Sequence, residues 1–323
     1  MSRGLTISDM LDELRAAVEE ENSVQIKDDY NLLPILNRAH SKAFEILTRT
    51  YPEPLLTKTD IVVNTKELVL PENVYQDKIH LAYWIDDTGR KIAQCNKSGL
   101  QAFSDADGND NGYPSSYVIM QRKLRFSGEP AGTLRIWHMR ELDRLVEPIA
   151  TIDEVPDATH LSIADLDPTY SLTAGRHSSY LNIVDGQTGL IKGTIQVKQI
   201  TTDEIEIRST PDRSAVLNRD ISNDLATIVD DEGAVVTISA DDYLCEIRGT
   251  CVLPYWDLVH DFIIQYGIAE LKRELGYAYD VDQQLVSAFR SDMTKAAVAN
   301  RDAPMTIRRR NAIWNQSRWR GRL

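Results

Sequence analysis

The chain has 323 residues, 42% of them hydrophobic and 26% charged, with a formal net charge of −13 and a pI near 5.0. That length accommodates roughly two domains, and the apolar content suffices for a sizeable core, which argues against wholesale disorder. The acidic balance argues against a protein whose body coats duplex DNA and suits one that stays soluble or repels DNA.

In chain order, "LTISDMLDELRAAVEEE" predicts a first helix. Thr6 is placed as N-cap with Asp9 three residues on, and Ile7, Met10, Leu11, Leu14 and Val18 share one face. "NLLPILNRAHSKAFEILTRTYP" predicts a second helix with the stripe Leu33, Leu36, His40, Phe44 and Leu47. Pro34 falls in its first turn, where proline is tolerated, and "YPEP" stops it. The period then changes to two. "DIVVNT", "ELVLP", "KIHLAYWID", "RKIAQ", "SYVIMQ", "KLRF" and "TLRIWHM" predict short strands, with a turn at "DDTG". An antiparallel meander on one side of the helices is expected.

Residues 151–250 are rich in Thr, Asp, Ile and Val and show turn signals every eight to twelve residues. Hairpins are predicted around residues 185–189 and, within "LATIVDDEGAVVTISA", around residues 230–233. "EIEIRST" alternates as a strand, and the whole reads as an all-β insert. Helices return after "CVLPYWDLV", with Pro254 where a helix can start. Val259, Phe262, Ile263, Tyr266 and Ala269 form one stripe, ended by Gly276. Asp280 caps a last helix with Leu285, Phe289, Met293 and Ala296 on one face, closed by "DAP" at residues 302–304. Cys95, Cys245 and Cys251 make an odd number without a Cys-x-x-Cys pair, so neither a disulfide framework nor a zinc site is expected, and a reducing interior fits. The first residues, "MSRGLTISDMLDELR", carry no apolar stretch of signal-peptide type, and no run approaches membrane-spanning length.

The chemical motifs resolve into turns and core. "DADGNDNG" fails the calcium-loop template, because Asp110 stands where glycine is needed and Ser116 where the bidentate glutamate belongs. "GQTGLIKG", with Lys192, lacks the phosphate-loop spacing and reads as a hairpin turn. His40 and His260 sit among apolar residues and read as packed core histidines. Neither HExxH nor G-x-S-x-G occurs. No catalytic residue, cofactor or metal is assigned.

The last 23 residues are different. They hold seven arginines and one acid, a side-chain charge of +6 that leaves −19 on residues 1–300. Ile307, Ile313, Trp314 and Trp319 interleave with Arg308, Arg309, Arg310, Arg318, Arg320 and Arg322. Trp and Arg are the types most enriched at binding hot spots, so the segment is read as a docking tail that orders on a partner. Docking on protein is preferred to stacking on single-stranded nucleic acid or to an inert solubilising end.

The order of elements resembles the head-to-tail adaptor proteins of tailed bacteriophages, also called connector, head-completion or tail accessory proteins. The residues that carry the resemblance are "LLPILNRAHSKAFEILTRTYPEPL", a strand series ending in "TLRIWHM", "LPYWDLVHDFIIQYGIAELKRELG", and a last helix and tail. Together the elements give an expected α+β fold: an α-helical core of N- and C-terminal helices with the strand meander (residues 1–150 and 251–300), an inserted β domain (151–250) that is extra to the simpler family members, and an extended basic tail (301–323). The resemblance implies a homo-oligomeric ring of about 12 copies under the portal protein, in the virion neck, assembled in the bacterial host cytoplasm. The tail would reach along the portal, a tail or nozzle protein would bind below, and packaged DNA would pass without sequence-specific binding. No membrane is implied. The expected function is structural and non-catalytic; another phage tail or neck component, a nucleic-acid binder using the tail, and an enzyme with a β accessory domain are the rivals.

Overall fold

The computed structural model of the protein describes residues 5–17, 31–71, 74–100, 112–170, 179–208, 221–228, 235–253, 255, 257–276 and 282–301. The fold is mixed α+β. Four helices, α1 (Ile7–Ala17), α2 (Leu33–Thr50), α3 (Asp257–Glu274) and α4 (Asp282–Arg301), lie at the two ends of the described chain. The first begins as the sequence predicts: the Asp9 N–H donates to Thr6 Oγ1 at 3.2 Å and the Thr6 N–H to Asp9 Oδ2 at 3.1 Å. These reciprocal bonds satisfy amides that a helix start leaves open. α2 carries Pro34 in its first turn and buries its whole expected stripe. α3 buries Val259, Phe262, Ile263 and Ala269 and ends at Gly276, whose φ of +82° suits a residue without Cβ.

The helices form one core although some 200 residues separate α2 from α3. α2 and α1 both pack on α3, and α4 packs on α2 and α3. Ile7, Met10, Leu14, Leu36, Leu47, Ile263 and Met293 are all sealed there. The chain start is tied to the segment before α3, with the Ile7 N–H donating to Cys251 O at 3.0 Å and Thr6 bridging Val252.

Between the helices run two β structures. The first comprises β1 (Leu56–Val63), β2 (Glu67–Val69), β3 (Val74–Ile85), β4 (Lys91–Lys97), β5 (Ser116–Met120), β6 (Lys123–Phe126) and β7 (Gly132–Arg140). The strands fall where alternation predicts, but they do not form a meander. Their order is β1-β7-β3-β4-β5-β6-β2, and β4 and β5 run parallel. β1 pairs along its full length with β7, from Leu56 opposite Met139 to Val63 opposite Gly132. The outer strands β1 and β2 are joined by three residues, a reach of at most about 14 Å, so the sheet curls into a half-barrel. Trp84, Leu124, Phe126, Leu134 and Ile136 fill its inside. On its outer side Arg135 grips Asp60 with two bonds of 2.6 Å, fixing the β1–β7 register.

The second structure is a closed barrel. Its strands follow the short β8 (Arg144–Leu145): β9 (Ala150–Glu154), β10 (His160–Ala164), β11 (Tyr180–Val184), β12 (Ile191–Ile200), β13 (Glu204–Ile207), β14 (Ile221–Ser222) and β15 (Tyr243–Glu246), ahead of β16 (Gly249–Thr250). Six strands close the ring β11-β15-β9-β10-β13-β12, with β14 added in parallel beside β12. Closure removes the exposed edges that an open sheet would leave. Ile152, Leu161, Ile163, Leu181, Ile195 and Ile205 fill the interior. The hairpin predicted at residues 185–189 is present, with the Gly189 N–H donating to Asp185 O at 2.9 Å. Gly189 has φ +67°, and a Cβ there would stand 2.4 Å from Val252 O, so this turn needs glycine to press against the segment leading to α3. The second predicted turn, at 230–233, lies outside the described residues, as do Pro254, Asp280 and most of "DADGNDNG". Residues 225–227 of the preceding stretch form a 3-10 turn in place of the expected strand, and Asp224 caps it by accepting the Ala226 N–H.

Candidate functional site

Ile307, Arg308, Arg309, Arg310, Ile313, Trp314, Arg318, Trp319, Arg320 and Arg322 all lie outside the described residues. What the structure describes is the helix that precedes them. α4 is held by Phe289, whose ring stacks on Phe262 with centroids 4.1 Å apart and planes 13° apart, and by the sealed Met293. The neighbouring α2 and α3 are pinned by charge. Arg38 of α2 pairs with Glu274 and lies 3.9 Å from Glu270, which Arg273 also holds at 2.5 Å.

A second feature is a cleft of about 60 Å³ where the helices, the half-barrel and the closed barrel meet. His40 and Tyr255 line it from the helical side, Thr57 and Arg140 from the half-barrel, and Gly189 from the barrel hairpin. His40 is the core histidine that its place on α2 predicts. It is 1% exposed, its Nε2 lies 3.1 Å from the Tyr255 hydroxyl, and burial pulls its pKa down to about 3. Its Nδ1 and the Thr57 hydroxyl are buried without a protein partner. Buried polar atoms of this kind are ordinarily met by ordered water, and the cleft exceeds the volume one water needs. Arg140 is engaged with Asp143 at 2.8 Å. The cleft can therefore hold small polar molecules by hydrogen bonds. Nearby, Asn37 of α2 clamps the chain leaving the half-barrel: its Nδ2 donates to Leu145 O and its Oδ1 accepts the Leu145 N–H, each at 2.9 Å.

The third feature escaped sequence reasoning. Lys192, read only as part of a turn, points its Nζ at Asp242 Oδ2 (2.7 Å) and Oδ1 (3.0 Å). Asp185 Oδ2 stands 3.2 Å from the same nitrogen. The Lys192 and Asp242 side chains are only 11% and 3% exposed. No signal in the sequence marks it: in β12 Lys192 alternates with Ile191, Ile195 and Val197 in the same register as the polar Thr194, Gln196 and Lys198, and its partner is 50 residues away in sequence with no spacing rule to link them.

His260 is buried, and burial lowers its pKa against the opposing pull of the Leu253 carbonyl and nearby acids. All three cysteines are buried and none is in a disulfide. Among the described residues, no group of three or more His, Cys, Asp or Glu side chains is placed to hold a metal, and no helix is long and apolar enough to cross a membrane. No protein-family model matches the chain, and no curated protein matches it.

Proposed function

We propose that the protein is a ring-forming head-to-tail adaptor of a tailed bacteriophage, joining the capsid portal to the tail and continuing the DNA channel. The observation that carries this reading is the layout of the ends. Helices from both ends of the chain share one core, and the basic Arg/Trp segment follows directly on α4, a helix fixed to that core by Phe289 and Met293. Such a root lets a docking segment leave a rigid body at a defined place. In this reading Ile307, Ile313, Trp314 and Trp319 supply apolar anchors. Arg308, Arg309, Arg310, Arg318, Arg320 and Arg322 pair with acids or carbonyls of the portal. The charge of −19 on residues 1–300 supports a body that DNA slides past rather than sticks to.

The test is binding to the portal ring of the same virus by the full chain and by a chain ending at Arg301, which keeps α4 whole. Duplex DNA at several salt concentrations is the parallel bait. Loss of ring binding on truncation, by a hundredfold or more, with little binding to DNA, supports the adaptor reading. Equal binding of both chains to the ring rejects the tail as anchor. Strong DNA binding that falls steeply with salt and disappears on truncation favours the nucleic-acid reading instead.

A further inference from the structure

The geometry at Lys192 points to a covalent self-modification: we propose that Lys192 and Asp242 condense to an intramolecular isopeptide bond, with Asp185 carrying the protons. Three observations converge on it. The reacting atoms are already in contact, since Lys192 Nζ lies 2.7 and 3.0 Å from the two carboxylate oxygens of Asp242. Held geometry of this kind replaces a bimolecular encounter and is worth on the order of 10⁵ M or more in effective concentration. The pair is sealed, and among the described lysine–acid pairs no other has both side chains so nearly excluded from water. A second acid, Asp185, touches the same nitrogen at 3.2 Å, which supplies the base that an ordinary ion pair lacks.

The chemistry balances without any other reagent. The ammonium of Lys192 gives up two protons, and its nitrogen attacks Cγ of Asp242. The Cγ–N bond forms and the Cγ–Oδ2 bond breaks, and Oδ2 leaves with the two protons as water. Asp185 accepts each proton from nitrogen and passes it on toward the departing oxygen. Oδ1 becomes the amide carbonyl. The developing negative charge on it is met by the Gly186 N–H, 3.3 Å away, while the Ser239 N–H holds Oδ2 at 2.7 Å. A buried ion pair carries a desolvation penalty for each charge, and condensation removes both charges at once. The environments of the two acids also differ in the required sense. Burial pushes the Asp242 carboxyl up, against the pull of Lys192 and the backbone amides. Burial raises Asp185 as well, but the Thr188 amide and Lys192 outweigh it and hold that group in its basic form. The bond would tie β12 to the strand start of β15 and lock the hairpin that abuts the helical core.

Intact-mass measurement on the purified, denatured full chain tests this directly. The expected mass is one water below that of the sequence, with a branched peptide joining the Lys192 and Asp242 fragments after digestion. Lys192→Arg keeps a cation at the site and restores the full mass. Asp185→Asn, with both reacting residues intact, slows the mass loss at least a hundredfold after refolding. A wild-type chain at full mass, yielding an unbranched Lys192 peptide after prolonged incubation in the folded state, overturns the proposal and leaves a permanent ion pair. Because the wild-type mass alone decides the matter, poor folding of a variant does not blur it.

Discussion

Burial keeps the His40 imidazole neutral in the folded chain, with a pKa of about 3 against an ordinary 6.5. The sign of the consequence follows from proton counting. Below pH 6.5 the unfolded chain binds a proton that the folded chain refuses until the pH nears 3, so stability falls as the pH drops through that window and is at its plateau above it. At about pH 5 the loss from His40 alone is about 2 kcal/mol. His260, also lowered by burial, acts with the same sign. Urea unfolding of the wild type and of His40→Gln at about pH 7.5 and about pH 5 isolates the effect, because other acid-sensitive groups are common to both chains. The wild type is expected to lose about 2 kcal/mol more than the variant between the two conditions. Equal losses would mean that the imidazole titrates near its ordinary value, and hence that the cleft admits enough water to solvate it.

At the level of elements, α4 is the piece with the least redundancy. Its buried contacts are Phe289, Met293 and Ala297, and the Phe262–Phe289 stack is its largest aromatic contact. Truncating Phe289 to Ala leaves a cavity against Phe262, with an expected loss of about 3 kcal/mol or more in the helical core. Hydrogen exchange should locate the damage, with α4 amides exchanging at least tenfold faster and those of β9–β15 unchanged. A uniform acceleration would mean that α4 and the barrel unfold as one. The helices were the most legible part of the sequence because their information is local: Thr6 and Asp9 are three residues apart, and the stripe of α2 repeats within each turn. Strand positions were legible for the same reason. Strand partners were not, since alternation states which face is buried and says nothing of the neighbour. The pairing of β1 with β7 spans Leu56 to Met139, the parallel β4–β5 contact breaks the hairpin expectation, and the β11–β12 closure completes a ring that no single strand announces. Lys192 and Asp242 were invisible by the same logic. The tail is set apart by composition alone, and the residues that carry that reading lie outside those the structure describes.

The molecule as a whole is built from three cores that meet at one seam, and the closed barrel is the part whose chain ends lie together. The Ile149 N–H donates to Leu244 O at 2.7 Å, the Val146 N–H to Thr250 O at 3.1 Å, and the Arg144 N–H to Arg248 O at 2.9 Å, so the incoming and outgoing segments run side by side. A structure entered and left at one place, with its own sealed interior of Ile152, Leu161, Leu181, Ile195 and Leu244, has what independent folding requires. Its attachment is also visible. Val184 and Ile191, paired across the β11–β12 hairpin, are buried in the helical core rather than in the barrel interior. Cutting the barrel out would expose both, at about 1.5–3 kcal/mol each in lost burial. Residues 147–248 expressed alone are therefore expected to unfold in one cooperative transition but to associate through this face. Val184→Thr with Ile191→Thr should make the isolated barrel monomeric. The same double substitution in the full chain should loosen the barrel from the helices and split a single calorimetric transition into two. If the isolated segment shows no cooperative transition even with both threonines, the barrel depends on the helical core to fold. The side-by-side strands at its base would then be a consequence of that core rather than the boundary of a separate unit.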